Sequence, residues 1–435
     1  MINPEFANYD SYDEVEFEWI KRTPSHWRIT RFKDFAEILS GFTPEELQPD
    51  FYGSTPYYKV DDLNSLSDSG HISSNTWYTN YAKFVYRKSI LLIPKRGMAI
   101  LTNKVGITNK ECVFDTNLMG LSLDHKTVNN KFIFYWARNV GLSRLADITT
   151  IPQLNNKHIY PLIISLPTLS EQQAIADYLD AKTAQINRKI ELLEQKAEKY
   201  ADLKQSLINE TVTRGLDKNV SMKDSGVEWI DQIPKHWEVK RVNDIAALQK
   251  IKNSGLREKN LLSLSYGKLK RKDIETSFGL LPKSFETYQI VNKGNIILRL
   301  TDLQNDWTSL RVGLARERGI ITSAYLCLRF SKIINPVFAY YVLHVYDLSK
   351  VFYWLGSGLR SVMKFEDIKI LPFILPPLEE QKVIADYLES KTAQIEKIVE
   401  TIHLEVEALK ELRKTLINDV VTGKIRVYEN GASAG

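Results

Sequence analysis

Residues 166–186 read LPTLSEQQAIADYLDAKTAQI and residues 375–395 read LPPLEEQKVIADYLESKTAQI, with 15 of 21 positions identical at a constant offset of 209. Upstream, EWIKRTPSHWRITRFKDFA from Glu18 returns as EWIDQIPKHWEVKRVNDIA from Glu228, so Pro24, His26, Trp27 and Arg31 match Pro234, His236, Trp237 and Arg241 at an offset of 210. A repeat this long lies outside the roughly 20–50-residue periods of solenoids and demands two domain-sized units. The chain is therefore expected to fold as a pseudo-dimer within one polypeptide.

Between the repeated stretches, blocks 40–165 and 250–374 have almost the same length but echo each other only faintly. A constant frame around varied inserts suggests a scaffold that presents two different recognition surfaces.

The 435 residues, 43% hydrophobic, can bury several cores. No apolar run approaches the roughly 18 residues needed to cross a bilayer. The N-terminus is acidic and polar where a secretion signal would be basic and then apolar, so a cytoplasmic location is expected. Cys112 and Cys327 lack metal or redox spacing and read as two buried free thiols. The net charge of +5 is uneven: segment 171–212 carries 6 basic against 8 acidic residues and segment 379–421 carries 6 against 10, whereas block 40–165 has 13 against 10 and block 250–374 has 20 against 10. Positive charge gathered in the variable blocks fits a polyanion binder, because neutralising phosphates releases condensed counterions.

Ile186, Ile190, Leu193, Ala197, Tyr200 and Leu207 recur at alternating four and three spacings, with Lys204 as one polar interruption. Ile395, Val399, Ile402, Val406, Leu409 and Leu416 repeat the pattern, with Arg413 in the place of the lysine. Such a seam predicts a coiled coil, since a 3.5-residue period keeps the apolar stripe against a partner helix. Each helix should start after a proline, Pro167 or Pro376-Pro377, with carboxylates in its first turn, and stop at Gly215 or Gly423. About 43 residues would span about 64 Å.

Within the blocks, residues 89–96, 112–123, 294–302 and 319–330 read as strands, and 129–141 and 335–347 as helices. Both blocks close with a polar, loop-like stretch leading into a short apolar strand, so both should share one α/β fold. That stretch holds Thr149, Thr150, Gln153, Asn155, Asn156 and Lys157 in the first copy and Ser357, Arg360, Ser361 and Lys364 in the second. Such side chains can read base edges, since Arg pairs with guanine and Asn or Gln with adenine in the major groove. Lys95, Arg96, Asn103 and Lys104, the run Lys268, Lys270, Arg271 and Lys272, and Arg299 complete the candidate DNA-binding set, the KLKRK run being suited to positioning phosphates.

Catalytic motifs yield only lookalikes. Asn335-Pro336-Val337-Phe338 resembles an amino-methyltransferase loop but opens an apolar helix, where Asn serves as a cap. Asp367-Ile368-Lys369 has the D-x-K of nuclease cores but reads as a turn into a strand. There is no phosphate-loop motif, and the seven histidines are scattered. His26 and His236 sit in P-x-H-W contexts that look like folding elements.

The duplicated LPxLxEQxxIADYLxxKTAQI, each copy leading into a long heptad helix that ends in LINxxVT, together with the P-x-H-W segments, closely resembles the specificity subunit of type I restriction-modification systems. This resemblance implies two globular α/β target recognition domains joined by two long helices in an antiparallel coiled coil, with internal pseudo-two-fold symmetry. It implies recognition domains within 1–165 and 216–374 (the latter with a linker at 216–249), coil helices at 166–215 and 375–425, and a polar tail at 426–435. Each recognition domain would read one half of a bipartite asymmetric DNA site. The repeated regions would recruit two methyltransferase subunits and endonuclease subunits. S-adenosylmethionine, ATP and magnesium would then belong to those partners, and this chain would be non-catalytic with no cofactor of its own. Two other readings remain open: a solitary two-domain DNA-binding protein such as a repressor, and an enzyme with unrecognised activity in the blocks.

Overall fold

The computed structural model describes residues 8–17, 19–49, 55–80, 85–87, 89–147, 150–273, 284–303, 306, 308, 310–355 and 362–427. The chain divides into two compact units, one of Met1–Gln195 with Ile402–Gly435 and the other of Lys196–Thr401. Two long helices, Leu169–Arg214 and Leu378–Val421, each contribute one part to each unit.

Both units are built on the same antiparallel sheet. In the first unit its order is Ala36–Ser40, Leu118–Leu123, Leu91–Pro94, Gly106–Ile107; in the second it is Ala246–Gln249, Leu326–Phe330, Ile296–Leu298, Val312–Leu314. One block helix belongs to each unit, Asn130–Val140 or Pro336–Leu348. Each is capped by an asparagine, Asn129 or Asn335, whose side-chain oxygen accepts two of the helix's free N–H groups. The methyltransferase lookalike at Asn335 is thus a cap. A closing strand, Ile163–Leu166 or Pro372–Leu375, pairs antiparallel with Arg28–Arg31 or Glu238–Arg241.

The repeated motif residues lock this frame. Glu171 is 2% exposed and accepts hydrogen bonds from Tyr9 Oη (2.7 Å) and Trp27 Nε1 (3.2 Å), and it pairs with His26 Nε2 (2.9 Å). Glu380 does the same for Trp237 Nε1 (3.0 Å) and His236 Nε2 (2.8 Å). The next residue is a wholly buried glutamine. Gln172 donates to the carbonyls of Thr127 and Pro167 and accepts from the N–H of Asn129; Gln381 donates to those of Ile333 and Pro376 and accepts from Asn335. One Glu-Gln pair therefore ties the P-x-H-W segment, the start of the long helix and the cap of the block helix together, and leaves none of its buried polar atoms unpaired. The threonine of KTAQI adds a further tie, Thr183 to Tyr135 at 3.2 Å and Thr392 to Tyr341 at 3.1 Å.

The long helices end as their glycines predict: Gly215 and Gly423 have φ of +73° and +71°, the left-handed conformation that terminates a helix with least strain. The tail end of each helix enters a core. Val420 and Val421 join Trp27, Phe132 and Ile175 in the first unit, while Ile208 and Val212 join Trp237, Phe338 and Ile384 in the second. The seam positions are the shielded ones, with Ile190, Ala197, Ile395, Ile402 and Val406 buried, whereas Leu192, Leu203, Leu404 and Leu412 are exposed. The two polar interruptions are matched. Within the first unit Arg413 donates to Asn187 and Lys189 pairs with Glu405 at 2.8 Å; within the second, Lys204 pairs with Glu396 at 2.5 Å. Cys112 and Cys327 are buried and unlinked, and burial pushes both thiols up to about 12, which leaves them unreactive.

Candidate nucleic-acid interface

In the first unit the basic turn after strand Leu91–Pro94 meets the polar stretch before the closing strand. The N–H of Leu154 donates to the carbonyl of Lys95 at 2.8 Å and that of Gly97 to Pro152 at 2.9 Å, and Gln153 bridges both Arg96 and Asp147. Lys95, Arg96, Gln153, Asn155, Asn156 and Lys157 are thereby gathered in one place, although 57 residues separate Arg96 from Gln153. Partial burial, and then Arg96 beside it, lower the pKa of Lys95, so an added anion there would relieve repulsion. Lys157 pairs with Asp147 at 2.8 Å, and this contact holds the Asp147 carboxyl below the usual carboxylate range.

The second unit repeats the junction. The N–H of Met363 donates to the carbonyl of Leu300 at 2.9 Å, and Thr301 bridges Val362, which sets Arg299 and Lys364 on neighbouring segments. Arg299 reaches Asp306 at 3.8 Å. The loop is organised by Arg311, whose wholly buried guanidinium donates to the Thr301 carbonyl at 2.8 Å and to the Tyr353 hydroxyl at 3.1 Å. Nothing in the sequence separates Arg311 from surface arginines. It counts toward the basic surplus of its block yet offers no charge to a ligand.

Several expectations change. The stretch before each closing strand is not simply a loop, because it contains a short helix, Asn156–Ile159 or Phe365–Ile368, with Asn155 or Lys364 at the N-cap position. Asp367 of the nuclease lookalike accepts the N–H of Lys364 at 2.8 Å in that helix's first turn. The KLKRK run is not a loop either: Lys268–Arg271 is a strand paired with Leu262–Ser265 around Tyr266-Gly267, whose positive φ values of +49° and +73° suit a tight hairpin turn. Lys268 is engaged by Glu396 at 2.5 Å, and Arg271 is held by Glu317, with Nε to Oε1 at 2.8 Å. Lys270 and Lys272 are exposed and make no ion pair among the described residues. Asn103 spends its amide inside the fold, donating to the Arg138 carbonyl at 2.7 Å and accepting from the N–H of Leu142 at 3.0 Å. Lys104 is half-buried and Thr150 exposed. Thr149, Ser357, Arg360 and Ser361 lie outside the described residues. Among the described residues there is no cluster of His, Cys, Asp and Glu suited to a metal, and no helix long and apolar enough to cross a membrane.

Comparison with known proteins agrees with this duplicated plan. The chain is 26% identical to the type I restriction enzyme MjaVIII specificity subunit of Methanocaldococcus jannaschii over 96% of its own length and 97% of the relative. It is 23% identical to the EcoBI specificity subunit of Escherichia coli over 68% of this chain and 66% of the relative. Among solved structures, a chain from a study of complex assembly and conformational transition of the type I R-M system superposes with a TM-score of 0.66 at 16% identity, covering 92% of this chain and 99% of that one. The HsdS subunit of Thermoanaerobacter tengcongensis gives 0.52 at 16% identity, covering 92% and 98%. The profile described as type I restriction modification DNA specificity domain matches residues 24–196 and again 234–408, so the chain belongs to that family.

Proposed function

We propose that this chain is the DNA-recognition subunit of a type I restriction-modification complex, in which each unit reads one half of a bipartite, asymmetric duplex site. The observation that carries this reading is the same sheet, block helix and Glu-Gln lock built twice around two unlike surfaces, each with a basic junction beside its closing strand. The long helices act as a ruler: they pair as an antiparallel coiled coil and hold the half-sites near one helical turn apart, about 34 Å. Contacts whose partners descend as sequence ascends, Asn187 with Arg413, Lys189 with Glu405 and Lys204 with Glu396, support this pairing. Base contacts come from the junction residues Gln153, Asn155, Asn156 and Arg299, and phosphate contacts from Lys95, Arg96, Lys157, Lys270, Lys272 and Lys364. The repeated frame, with exposed Leu192, Leu203, Leu404 and Leu412 on its helices, recruits two adenine methyltransferase subunits and ATP-dependent endonuclease subunits. S-adenosylmethionine, ATP and magnesium belong to those partners, and the complex works in the cytoplasm.

Methylome sequencing of cells expressing this chain with its methyltransferase tests the reading. A split motif with a fixed gap is expected, and a helix-lengthening insertion of four residues in both long helices should widen the gap while leaving the half-sites alone. A contiguous motif, or a gap indifferent to the insertion, would overturn it.

A further inference from the structure

In each unit a groove runs beside the block helix, and the two grooves differ in how their charges are matched. The first unit's cavity, about 660 Å³, is lined by Arg138 and Arg144 from the block and by Arg413 and Lys414 from the second long helix. Two carboxylates also line it, each facing a lysine of the same groove, Asp419 with Lys424 at 3.2 Å and Glu411 with Lys414 at 3.9 Å, which leaves the three arginines without an acidic partner. Arg413 is bound only to the neutral amide of Asn187, and Arg138, over the Phe134 ring at 5.3 Å, and Arg144 have no carboxylate within ion-pair reach among the described residues. Arg138 and Arg144 keep exposed surface and Arg413 is half-buried; crowding by the neighbouring chain, and then Arg413, lower the pKa of Arg138.

The second unit has neutralised the same place. His344 stands where Arg138 stands, each nine residues after the capping asparagine, and Lys204 stands in the place of Arg413. That cavity, about 460 Å³, pairs Lys204 and Lys268 with Glu396 at 2.5 Å each and Arg316 with Glu389 at 2.5 Å. His344, 7% exposed, carries no charge at neutral pH, because burial and then Lys204 pull it down to about 4.

Guanidinium groups that share one groove with no carboxylate in ion-pair reach repel one another until an anion joins them, and their planar forks match phosphate oxygens. We propose that the first unit's groove is a phosphate site, held by Arg138, Arg144 and Arg413 and occupied by a phosphodiester of the bound duplex, while the second unit's groove is not. The location favours DNA as the source. Thr102 and Asn103 form the rim and follow directly on helix Met98–Leu101, which leaves the Lys95-Arg96 turn of the candidate interface. Asn103 also positions the wall by binding the Arg138 carbonyl and the Leu142 N–H.

The inference rests on the DNA-recognition reading, and the test separates the two. With the full chain assembled with its methyltransferase partners, duplex affinity is measured against salt for wild type, Arg138→Gln, Arg144→Gln and, as control, Arg316→Gln. The first two variants should bind several-fold more weakly to cognate and non-cognate duplex alike, with the slope of log K against log salt shallower by about one; the control should match wild type. Wild-type binding with neither variant changed, or an equal loss from Arg316→Gln, would overturn the inference and leave the recognition reading intact. A wild-type complex without duplex affinity would refute both. Calorimetric titration with inorganic phosphate distinguishes the source: phosphate binding abolished by Arg138→Gln while duplex affinity stays unchanged would overturn the DNA occupant in favour of a free phosphate.

Discussion

The two units agree in the frame that ties the long helices to the sheet and the block helix, and differ in the inserts that the frame carries. The four-stranded sheet, the asparagine-capped helix and the Glu-Gln lock recur element for element. Outside them, the first unit folds its insert into a second four-stranded sheet of Val113–Phe114, Thr55–Tyr58, Trp77–Thr79 and Gln48–Pro49, while the second makes two separate strand pairs, Leu262–Ser265 with Lys268–Arg271 and Gln289–Val291 with Gly319–Ile321. A frame residue such as Gln172 or Gln381 answers three backbone groups at once, so few substitutes fit. An insert surface answers to its ligand.

If the frame is one design used twice, matched substitutions should cost the same in each unit. The largest loss should come from the buried indoles: Trp27→Ala and Trp237→Ala, 4% and 0% exposed, should each destabilise their unit by about 3–5 kcal/mol in denaturant unfolding. A cost below about 1 kcal/mol on one side alone would break the equivalence. Gln172→Leu and Gln381→Leu should follow at about 2–3 kcal/mol, because each strands a capping N–H and two carbonyls. Similar shifts in hydrogen-exchange protection of the helices Asn130–Val140 and Pro336–Leu348 would sharpen the comparison.

The helix-stop glycines should separate the units slightly. A Cβ on Gly423 would lie 2.5 Å from Cδ of Pro24, a ring fixed in the frame, whereas one on Gly215 would lie 3.2 Å from Oε1 of Glu380 and 3.3 Å from Cζ2 of Trp237, contacts relieved by a shift of a few tenths of an ångström. Both positions have positive φ, so Gly423→Ala should cost about 2 kcal/mol and Gly215→Ala about 1. Equal costs would mean that backbone strain alone governs both stops.

Much of the frame was legible because it is local and repeated. Proline starts, glycine stops and the heptad seam mark the long helices, and Lys204 and Arg413 stand out in that seam as polar intrusions. Their partners Glu396 and Asn187, roughly 200 residues away, are not marked at all. The candidate site was legible only as composition. Lys268 and Arg271 read as free charge because Glu396 and Glu317 are brought to them by tertiary folding, and Arg311 gives no hint of its burial. The short helices at Asn156 and Phe365 escaped because a single turn has no periodicity to detect.

The smallest expected effect concerns a pair found in the second unit alone. His344 and Asp347 occupy positions held by Arg138 and Gly141 in the first copy. Burial lowers His344 to about 4, so its contribution is present at neutral pH and is lost as pH falls from about 6.5 toward 4. Burial raises Asp347 to about 6, against the pull of the Arg311 N–H, Lys350 and the Arg311 charge, so its contribution is greatest in acid and fades as pH rises from about 4 to 6. The two slopes oppose each other over the same window and should cancel to within about 1 kcal/mol. The double variant His344→Gln/Asp347→Asn should therefore track the wild-type stability profile between pH 4 and 7. Replacing His344 alone should uncover the Asp347 slope and make the variant gain on the wild type as the solution is acidified. If the single variant instead ran parallel to wild type, the second unit would be as insensitive to pH here as the first, and this difference between the two copies would vanish.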